Sequence, residues 1–281
     1  MQITFWGVRG SIPTPGPSTA QVGGNTSCVE VRAGKAIVIF DGGTGLRLLG
    51  KKLLKEMPIT AHMFFSHVHW DHIQGFPFFE PAFVKGNVFH LYGGTNVSRT
   101  LGETLAGQMD HPNFPVSLAA MGAEMVFRDL GESERVEIED GGGGVAAVTN
   151  ARGNHAQGVY AYRLEHAGKV VVFATDTEHY EGGIDKSLLA LSKGADLLIY
   201  DAQYTPEEYA GTAGTGASKK GWGHSTYEEG ARMAKAAGAQ KLVLFHHDPS
   251  QDDASVREKE KRARAVFPDA IAAHEGLTIE V

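Results

Sequence analysis

The sequence predicts an α/β protein with two β-sheets and helices on their outer sides. Short apolar or alternating runs typical of strands recur along the whole chain, and helical periodicity occurs in both halves. The 281 residues are 42% hydrophobic, which is enough to fill a large core. The glycine run at 141–144 has strand-like segments on both sides, so we interpret it as a hairpin within a single domain that spans residues 1–281.

The first quarter of the chain predicts four strands and a helix. Leu46, Leu49 and Leu53 lie on one face at helical spacing, and Leu54 adjoins them, so "LRLLGKKLLKE" is predicted to be helical. The strands are predicted at "ITFWG", "SCVEVRA", "KAIVIFD" and "HMFFSH". The helix therefore connects the third strand to the fourth.

The rest of the chain predicts eight further strands, with four helices among them. The strands are expected at 87–92, 125–129, 134–138, 145–149, 159–165, 169–174, 196–200 and 241–245. The helices are expected at 96–108, 184–192, 225–238 and 251–265. Because helices occur in both halves of this strand-rich order, two sheets with helices outside fit the pattern best.

Composition limits the partners that the protein is expected to have. The formal net charge is -7, from 33 acidic and 26 basic residues, and no Lys/Arg run is long enough to follow a nucleic-acid backbone. We therefore expect no large nucleic acid partner. The sequence contains neither a bilayer-spanning apolar stretch nor a signal peptide, which predicts a cytoplasmic protein without membrane contact. Cys28 is the only cysteine, so His, Asp and Glu remain as metal ligands.

The segment "FFSHVHWDHIQG", residues 64–75, carries the strongest chemical signal. Residues two apart on a strand point the same way, so His67 and His69 can converge on one cation. Asp71 and His72 follow where the chain must turn, and they can face a second cation nearby. The alternative is a surface loop that is merely rich in histidine.

Three later segments offer the remaining ligands that one or two ions need, each near the end of a predicted strand. His155 lies in "NARGNHAQGVY", and Asp176 lies in "VVFATDTEH" where the predicted strand ends. "KLVLFHHDPS" places His246 and His247 directly after an apolar strand, and alternation along that strand can present either of them. Strand ends that meet at one sheet edge would bring all these side chains together.

These motifs, in this order, resemble those of the metallo-β-lactamase fold superfamily, specifically its dinuclear, tRNase Z-like phosphodiesterase branch. The resemblance runs from "GVRGSIPTPG" to "LFHHDPS", which is nearly the whole chain. It implies a four-layer αββα sandwich of two mixed β-sheets with helices on the outer faces. It also implies two divalent metal ions per chain, with zinc favoured over manganese or iron, and a homodimer.

The resemblance also implies a role for each candidate ligand. One metal would be held by His67, His69 and His155. The other would be held by Asp71, His72 and His246, with His246 preferred to His247. Asp176 would bridge the two ions.

Two further matches concern catalysis. "ADLLIYDAQY" and "GHSTYEEGARMAKAAGAQKLVLFHH" resemble family segments in which an acidic residue pairs with a histidine, here Asp201 and His224. The family usually has glutamate where Asp201 stands. We expect His224 to protonate the leaving group, while Asp71 orients a dimetal-bound hydroxide. The alternative is that His224 only precedes a helix capped by Ser225, with Glu228 three positions further on.

The expected substrate is a small phosphodiester such as a cyclic nucleotide. tRNA-processing members of the family commonly carry a long arm between the third and fourth metal motifs, and the short interval between His155 and Asp176 leaves no room for one. The loop 211–226, with Lys219, Lys220 and Trp222, is either a substrate lid or a disordered surface loop. The insert 73–150 has the length to close over the site, and neither segment has an assigned role.

Two other function classes remain open. The same dimetal scaffold opens lactones or other esters in related branches, where the ions polarise a carbonyl group. A non-catalytic metal sensor is the third alternative, although it leaves His224 without a purpose.

Overall fold

The computed structural model describes residues 1–94, 99–213 and 216–281. In these ranges the strands are β1 (Gln2–Gly7), β2 (Cys28–Ala33), β3 (Ala36–Phe40), β4 (Thr60–Phe64), β5 (Val88–Gly94), β6 (Glu124–Leu130), β7 (Arg135–Glu139), β8 (Val145–Gly153), β9 (Val159–His166), β10 (Lys169–Ala174), β11 (Leu197–Asp201), β12 (Lys241–Phe245), β13 (Ala270–Ala272) and β14 (Thr278–Glu280). The α-helices are α1 (Leu46–Leu53), α2 (Trp70–Ile73), α3 (Leu101–Gly107), α4 (Lys186–Ser192), α5 (Pro206–Ala210), α6 (Tyr227–Ala237) and α7 (Asp253–Val266).

The strands form two mixed sheets of seven strands each. The first has the order β14-β1-β2-β3-β4-β5-β6, and the second has the order β13-β12-β11-β10-β9-β8-β7. Strands β3 to β6 pair in parallel in the first sheet, and β10 to β13 do so in the second. The remaining pairings are antiparallel.

Three apolar layers hold the sheets and helices together. Aromatic side chains from both sheets, including Phe40 and Phe173 at 5.2 Å between ring centroids, fill the space between the sheets. A second cluster joins the outer face of the first sheet to α1 and α3, and a third joins the outer face of the second sheet to α4, α6 and α7. The predicted αββα sandwich is therefore confirmed.

Strand β3 illustrates why the sequence folds in this way. Val38 and Phe40 enter the layer between the sheets, while Ile37 and Ile39 enter the layer beneath α1. Because both faces of the strand are covered, it reads as a continuous apolar run. Its last residue precedes Asp41, which the strand thereby delivers to the sheet edge.

Four short elements were not predicted from the sequence: α2, α5, β13 and β14. Each has five residues or fewer, and β14 exists through its pairing with β1. The predicted helix at 96–108 is observed as α3, and residues 96–98 lie outside the described ranges. Within those ranges, no helix has the length and apolar character needed to cross a membrane.

Candidate dimetal active site

The predicted site residues meet at one edge of the sandwich, where parallel strands end. His67, His69, Asp71 and His72 follow β4, and His155 follows β8. Asp176 follows β10, Asp201 ends β11 and His246 follows β12. Carboxyl ends of parallel strands share an edge, so residues far apart in sequence come together there.

Three histidines form the first donor group. The Nε2 atom of His67 lies 2.8 Å from Nδ1 of His69, and that Nδ1 lies 3.2 Å from Nε2 of His155. His67 is buried, whereas His69 and His155 are half-buried and line a cavity. The three nitrogens thus point at a common location that is reached from the cavity.

Two aspartates and two histidines form the second donor group, and all four are buried. Oδ2 of Asp71 lies 3.1 Å from Nε2 of His72 and 3.1 Å from Nε2 of His246. Oδ2 of Asp176 lies 3.3 Å from the same two nitrogens. Carboxylate oxygens and imidazole nitrogens at these separations suit a divalent ion.

Asp176 belongs to both groups. While its Oδ2 faces His72 and His246, its Oδ1 lies 3.8 Å from Nε2 of His67 and 3.9 Å from Nε2 of His155. The structure therefore brings together all seven residues predicted as ligands, with one carboxylate between the two sets.

Hydrogen bonds on the far side of the imidazoles fix which nitrogen faces the site. Nδ1 of His72 donates to Oδ2 of Asp41 over 2.7 Å, and Nδ1 of His155 donates to the carbonyl oxygen of Gly223 over 2.8 Å. Nδ1 of His246 donates to Oε1 of Gln203 over 3.0 Å. A proton on Nδ1 leaves the Nε2 lone pair free for a cation.

The donor set fits a pair of divalent ions. Nε2 of His72 is fully buried and makes no well-directed hydrogen bond, although carboxylate oxygens of Asp71 and Asp176 lie 3.1 and 3.3 Å from it. A cation among these atoms would satisfy the nitrogen and both oxygens. Oxygen and nitrogen donors without a thiolate suit zinc, manganese or iron.

Burial and charge set the protonation of the cluster. Burial lowers the pKa of His67 well below its usual value and lowers that of His155, so both are neutral, as metal ligands must be. Burial opposes ionisation of Asp71, but His72 and His246 hold the pKa of its carboxyl well below the usual range. His72 behaves oppositely: burial lowers its pKa, but Asp71, Asp176 and Asp41 raise it well above the usual value.

Four non-glycine residues at the site have a positive φ, one of them Ser11 at the cavity wall with a φ of 65°. Asp41, Asp176 and His246 have φ angles of 61°, 53° and 62°, in the left-handed region that such residues rarely adopt. Asp41 and His246 stand directly after a strand and Asp176 one residue further on, where the turn points each side chain into the site. Strain of this kind costs about 1–3 kcal/mol per residue and persists where the surrounding structure enforces it.

His224 and Asp201 form the predicted pair beside the donor groups. Nδ1 of His224 donates to Oδ2 of Asp201 over 2.9 Å, so the shorter aspartate does reach it. Backbone amides of Asp176, Gln203 and Ser225 donate to the same carboxylate and fix its orientation. Burial lowers the pKa of His224, but Asp201, aided by Asp176 and Asp71, outweighs burial and raises it to about 9.

One detail of the sequence interpretation changes, and the choice between His246 and His247 is decided in favour of His246. The cap of α6 is Thr226, whose hydroxyl accepts from the amide of Glu229, and Ser225 instead donates to the carbonyl oxygen of Thr177. Ser225 as helix cap was therefore wrong, because its side chain is used to hold the strand end that carries Asp176. His247 turns away from the donor groups, and its Nε2 donates to the carbonyl oxygen of Ala273, whereas His246 faces them.

An open cavity of about 560 Å³ gives access to the donor groups. No residue of the insert 73–150 that the structure describes lines it, because that insert supplies β5 to β7 and α3. Trp222 of the loop 211–226 does line it. The cavity is lined by Ser11, Val68, His69, Trp70, Asp71, His155, Ala156, Asp176, Trp222 and His224.

Several residues that shape the site were missed from the sequence. Asp41 and Gln203 orient imidazoles through their side chains, and Gly223 does so through its carbonyl oxygen. The amide of Gly42 donates to the carbonyl oxygen of His72 over 2.7 Å, beside the carboxylate contact that Asp41 makes with the same histidine. The position of Asp41 directly after an apolar strand was the one sequence feature that could have marked it as a site residue. Nothing in the local sequence marks Gln203 or Gly223.

Two seven-stranded sheets between helical layers, with histidines and aspartates gathered at one edge, define the class of metal-dependent hydrolases with the metallo-β-lactamase fold. Residues 37–247 match the family model of the beta-lactamase superfamily domain, which is well over half of the chain. The chain belongs to this superfamily. The predicted resemblance, and with it the prediction of a metal-dependent hydrolase, is confirmed.

Individual relatives agree with this placement. A Ribonuclease Z of Pyrococcus horikoshii is 25% identical over 96% of this chain and 93% of its own length. The crystal structure of Zn²⁺-bound PqqB from Methylobacterium extorquens covers 100% of both chains at 17% identity, with a TM-score of 0.72. A diphosphatase from the PhnP family covers 100% of this chain and 97% of its own at 18% identity, with a TM-score of 0.69. At these identities the two structures show the shared fold.

Proposed function

We propose that this protein is a phosphodiesterase that hydrolyses a small phosphodiester, such as a cyclic nucleotide, at a site for two divalent ions. The observation that carries the proposal is the position of Asp176, whose two carboxylate oxygens face two separate donor groups. Two ions held on one carboxylate are typical of sites that hydrolyse phosphate esters. Zinc is the favoured metal, in agreement with the Zn²⁺-bound relative.

The proposed ligand assignment follows the two donor groups. His67, His69 and His155 would hold one ion, and Asp71, His72 and His246 would hold the other. Asp176 would serve as a ligand to both. When bound, such ions activate water near neutral pH and polarise a phosphoryl oxygen.

The protein's own side chains would position the attacking water and protonate the leaving oxygen. Oδ2 of Asp71 accepts from the amide of Ser11 over 2.7 Å, which fixes the carboxylate that we assign to orienting the attacking water. Asp201 holds Nδ1 of His224, so Nε2 is the atom that can protonate the leaving oxygen. Asp201 also favours the charged imidazolium and thus keeps the acid form available at neutral pH.

Two observations support a small substrate. The interval between His155 and Asp176 is occupied by the hairpin of β9 and β10, whose paired ends are His166 and Lys169. It contains no long arm of the kind that tRNA-processing members carry. The chain also has a net charge of -7, which disfavours a large polyanion.

RNA is the second candidate, because the relative that aligns along 96% of the chain is named Ribonuclease Z. A tRNA precursor with a 3′ extension therefore belongs in the first set of substrates tested. Lactone hydrolysis stays in the comparison as the carbonyl alternative on the same scaffold.

The deciding experiment is a substrate panel with zinc- or manganese-loaded protein. The panel contains bis(p-nitrophenyl) phosphate, 2′,3′- and 3′,5′-cyclic nucleotides, a tRNA precursor and a simple lactone. Asp176→Asn serves as the matched inactive control, since it keeps the side-chain size. Turnover of the small phosphodiesters, without turnover of the lactone or the tRNA precursor, supports the proposal. Turnover confined to the lactone or to the tRNA precursor contradicts it.

The remaining assignments are also proposals. Residues 1–281 are proposed to act as one hydrolase domain, since the apolar layer between the sheets draws on both halves of the chain. The expected homodimer stays a prediction, which light scattering of the metal-loaded protein can test.

A further inference from the structure

Two indoles stand exposed at the mouth of the active-site cavity. The chain has three tryptophans, and Trp6 is half-buried and donates to Glu30. Trp70 is 80% exposed and Trp222 is 56% exposed, and both line the same cavity. Tryptophan is usually well buried, so exposed indoles that share one cavity mark a binding surface.

Trp70 is fixed by its neighbours in the chain. It begins α2 between His69 and Asp71, whose side chains belong to the two donor groups. The short helix that positions His69 and Asp71 therefore also positions the backbone of Trp70, while the indole itself is exposed. This places an exposed aromatic ring next to the donor groups.

The backbone around Trp222 is held by the carboxylate of Glu178. One oxygen of Glu178 accepts from the amide of Gly221 over 2.8 Å, and the other accepts from the amide of Gly223 over 2.9 Å. The residues on both sides of Trp222 are thus attached to the segment that follows Asp176. Tyr209 donates to Glu178 as well, over 2.6 Å.

The two lysines beside Trp222 differ in their contacts. Nζ of Lys219 lies 4.1 Å from the centre of the Trp222 ring, a cation–π contact. Nζ of Lys220 instead pairs with Glu181 over 2.6 Å. The loop therefore presents an indole with an ammonium group against it. An electron-poor or hydrogen-bonding ring suits such a surface better than an alkyl chain does.

We infer that Trp70 and Trp222 form an aromatic subsite that stacks the nucleobase of a nucleoside phosphodiester while the phosphate lies at the donor groups. The inference rests on the proposed phosphodiesterase function and narrows its substrate class. Stacking of a base on an aromatic side chain strengthens binding by roughly 5- to 150-fold. Every base offers a π face, so the subsite selects nucleosides as a class and not one base.

The test compares two esters that share a leaving group. Thymidine 5′-(p-nitrophenyl) phosphate carries a base on the non-leaving side, and ethyl p-nitrophenyl phosphate does not. We expect the wild-type protein to prefer the nucleoside ester by about tenfold or more in kcat/KM, mainly through KM. Trp222→Ala and Trp70→Ala should each remove most of this preference and leave turnover of the ethyl ester within about twofold.

Phe78→Ala is the matched control, since Phe78 is an exposed aromatic residue that does not line the cavity. It should keep the preference. Equal loss on both esters in the tryptophan variants, or no loss on either, overturns the inference. A preference for a dodecyl p-nitrophenyl ester over the nucleoside ester also overturns it, because the surface would then bind alkyl chains.

A binding measurement separates this inference from the proposed function. Thymidine 5′-monophosphate should quench the tryptophan fluorescence of the wild-type protein, and the quenching should be weakened in both variants. If neither ester is hydrolysed but this pattern appears, the phosphodiesterase proposal fails and the subsite stands. If the esters are hydrolysed without base preference or quenching, the subsite fails alone.

Discussion

The two donor groups form the floor of the cavity, and Trp70 and Trp222 form its mouth. Floor and mouth differ in how deeply their side chains are buried and in what holds those side chains in place. On the floor, His72 and His246 are buried, and each has one imidazole nitrogen fixed by a hydrogen bond. At the mouth, the indoles are exposed and only their backbone is held, by α2 at Trp70 and by Glu178 around Trp222. A preorganised floor suits one reaction, whereas an adaptable mouth can select among substrates. Substitutions should therefore affect chemistry on the floor and substrate preference at the mouth.

Removing the shared carboxylate should have the largest effect. Asp176→Ala deletes the oxygens that face both donor groups, so we expect loss of both metals and of detectable hydrolysis. Elemental analysis of the purified variant, together with the p-nitrophenyl assay, checks this. Circular dichroism should show a folded protein, because the core between the sheets is untouched. Retention of two ions per chain would contradict the bridging role.

Removing His224, the proposed general acid, should slow hydrolysis without releasing metal. His224→Ala is expected to lose roughly 10²- to 10⁴-fold in kcat, as for other general acids. The loss should be greatest with alkoxide leaving groups and least with p-nitrophenolate, which departs without a proton. Asp201→Asn should give a smaller loss of the same kind.

The pH profile provides a second check on His224. Deprotonation removes the acid, so the wild-type rate should fall as the pH rises through the pKa of His224. That pKa is raised to about 9 by Asp201 against the effect of burial, and bound cations nearby would lower it. The alkaline decrease should be absent in His224→Ala. An equal loss on good and poor leaving groups would assign His224 another role.

The junction between floor and mouth can be disturbed at Gly223. Its φ is +84°, and an added Cβ would lie 2.1 Å from Nδ1 of His155. Gly223→Ala should therefore displace His155 and weaken metal binding by roughly 10- to 100-fold, the usual effect of losing an outer partner. Competition with a chelating dye measures the affinity. Gly221→Ala is the comparison: its φ is also positive, but a Cβ there meets nothing within 4 Å, so metal binding should change little.

The smallest expected effect is the release of a proton from His72 when metal binds. In the metal-free protein the carboxylates around His72 raise its pKa well above the usual value in spite of burial, so His72 is charged at neutral pH. Zinc must displace that proton, and its affinity should rise with pH until the raised pKa is passed. Calorimetry in buffers of different ionisation enthalpy should detect release of at least one proton per chain, since ionisation of bound water adds to the proton from His72. No release at pH 7 would contradict a charged His72.

The same pKa shifts predict how the metal-free fold responds to pH. The raised pKa of His72 contributes stability below about pH 6.5, and this contribution is lost as the pH rises through the folded value. The lowered pKa of Asp71 acts in the other direction, with stability that is lost as the pH falls through the folded value.

The sequence identified most of the strands because their patterns are local. The run "KAIVIF" predicts a strand, and the structure has β3 there with every residue buried. It did not identify β14, whose three residues form a strand only beside β1. For the same reason Gln203 was missed, since its contact with His246 spans 43 positions. Trp70 carried no signal because its exposure depends on the cavity around it.

The sequence by itself determined the fold class and most of the candidate ligands, because these depend on strand patterns followed by ligand-type residues. The family resemblance suggested the two donor groups and the role proposed for His224. Tertiary structure decided between His246 and His247, brought Asp201 within 2.9 Å of His224, and placed two indoles at one opening. The physical reason is distance along the chain. Local periodicity fixes which way a side chain leaves its strand, whereas the packing of two sheets decides what it meets.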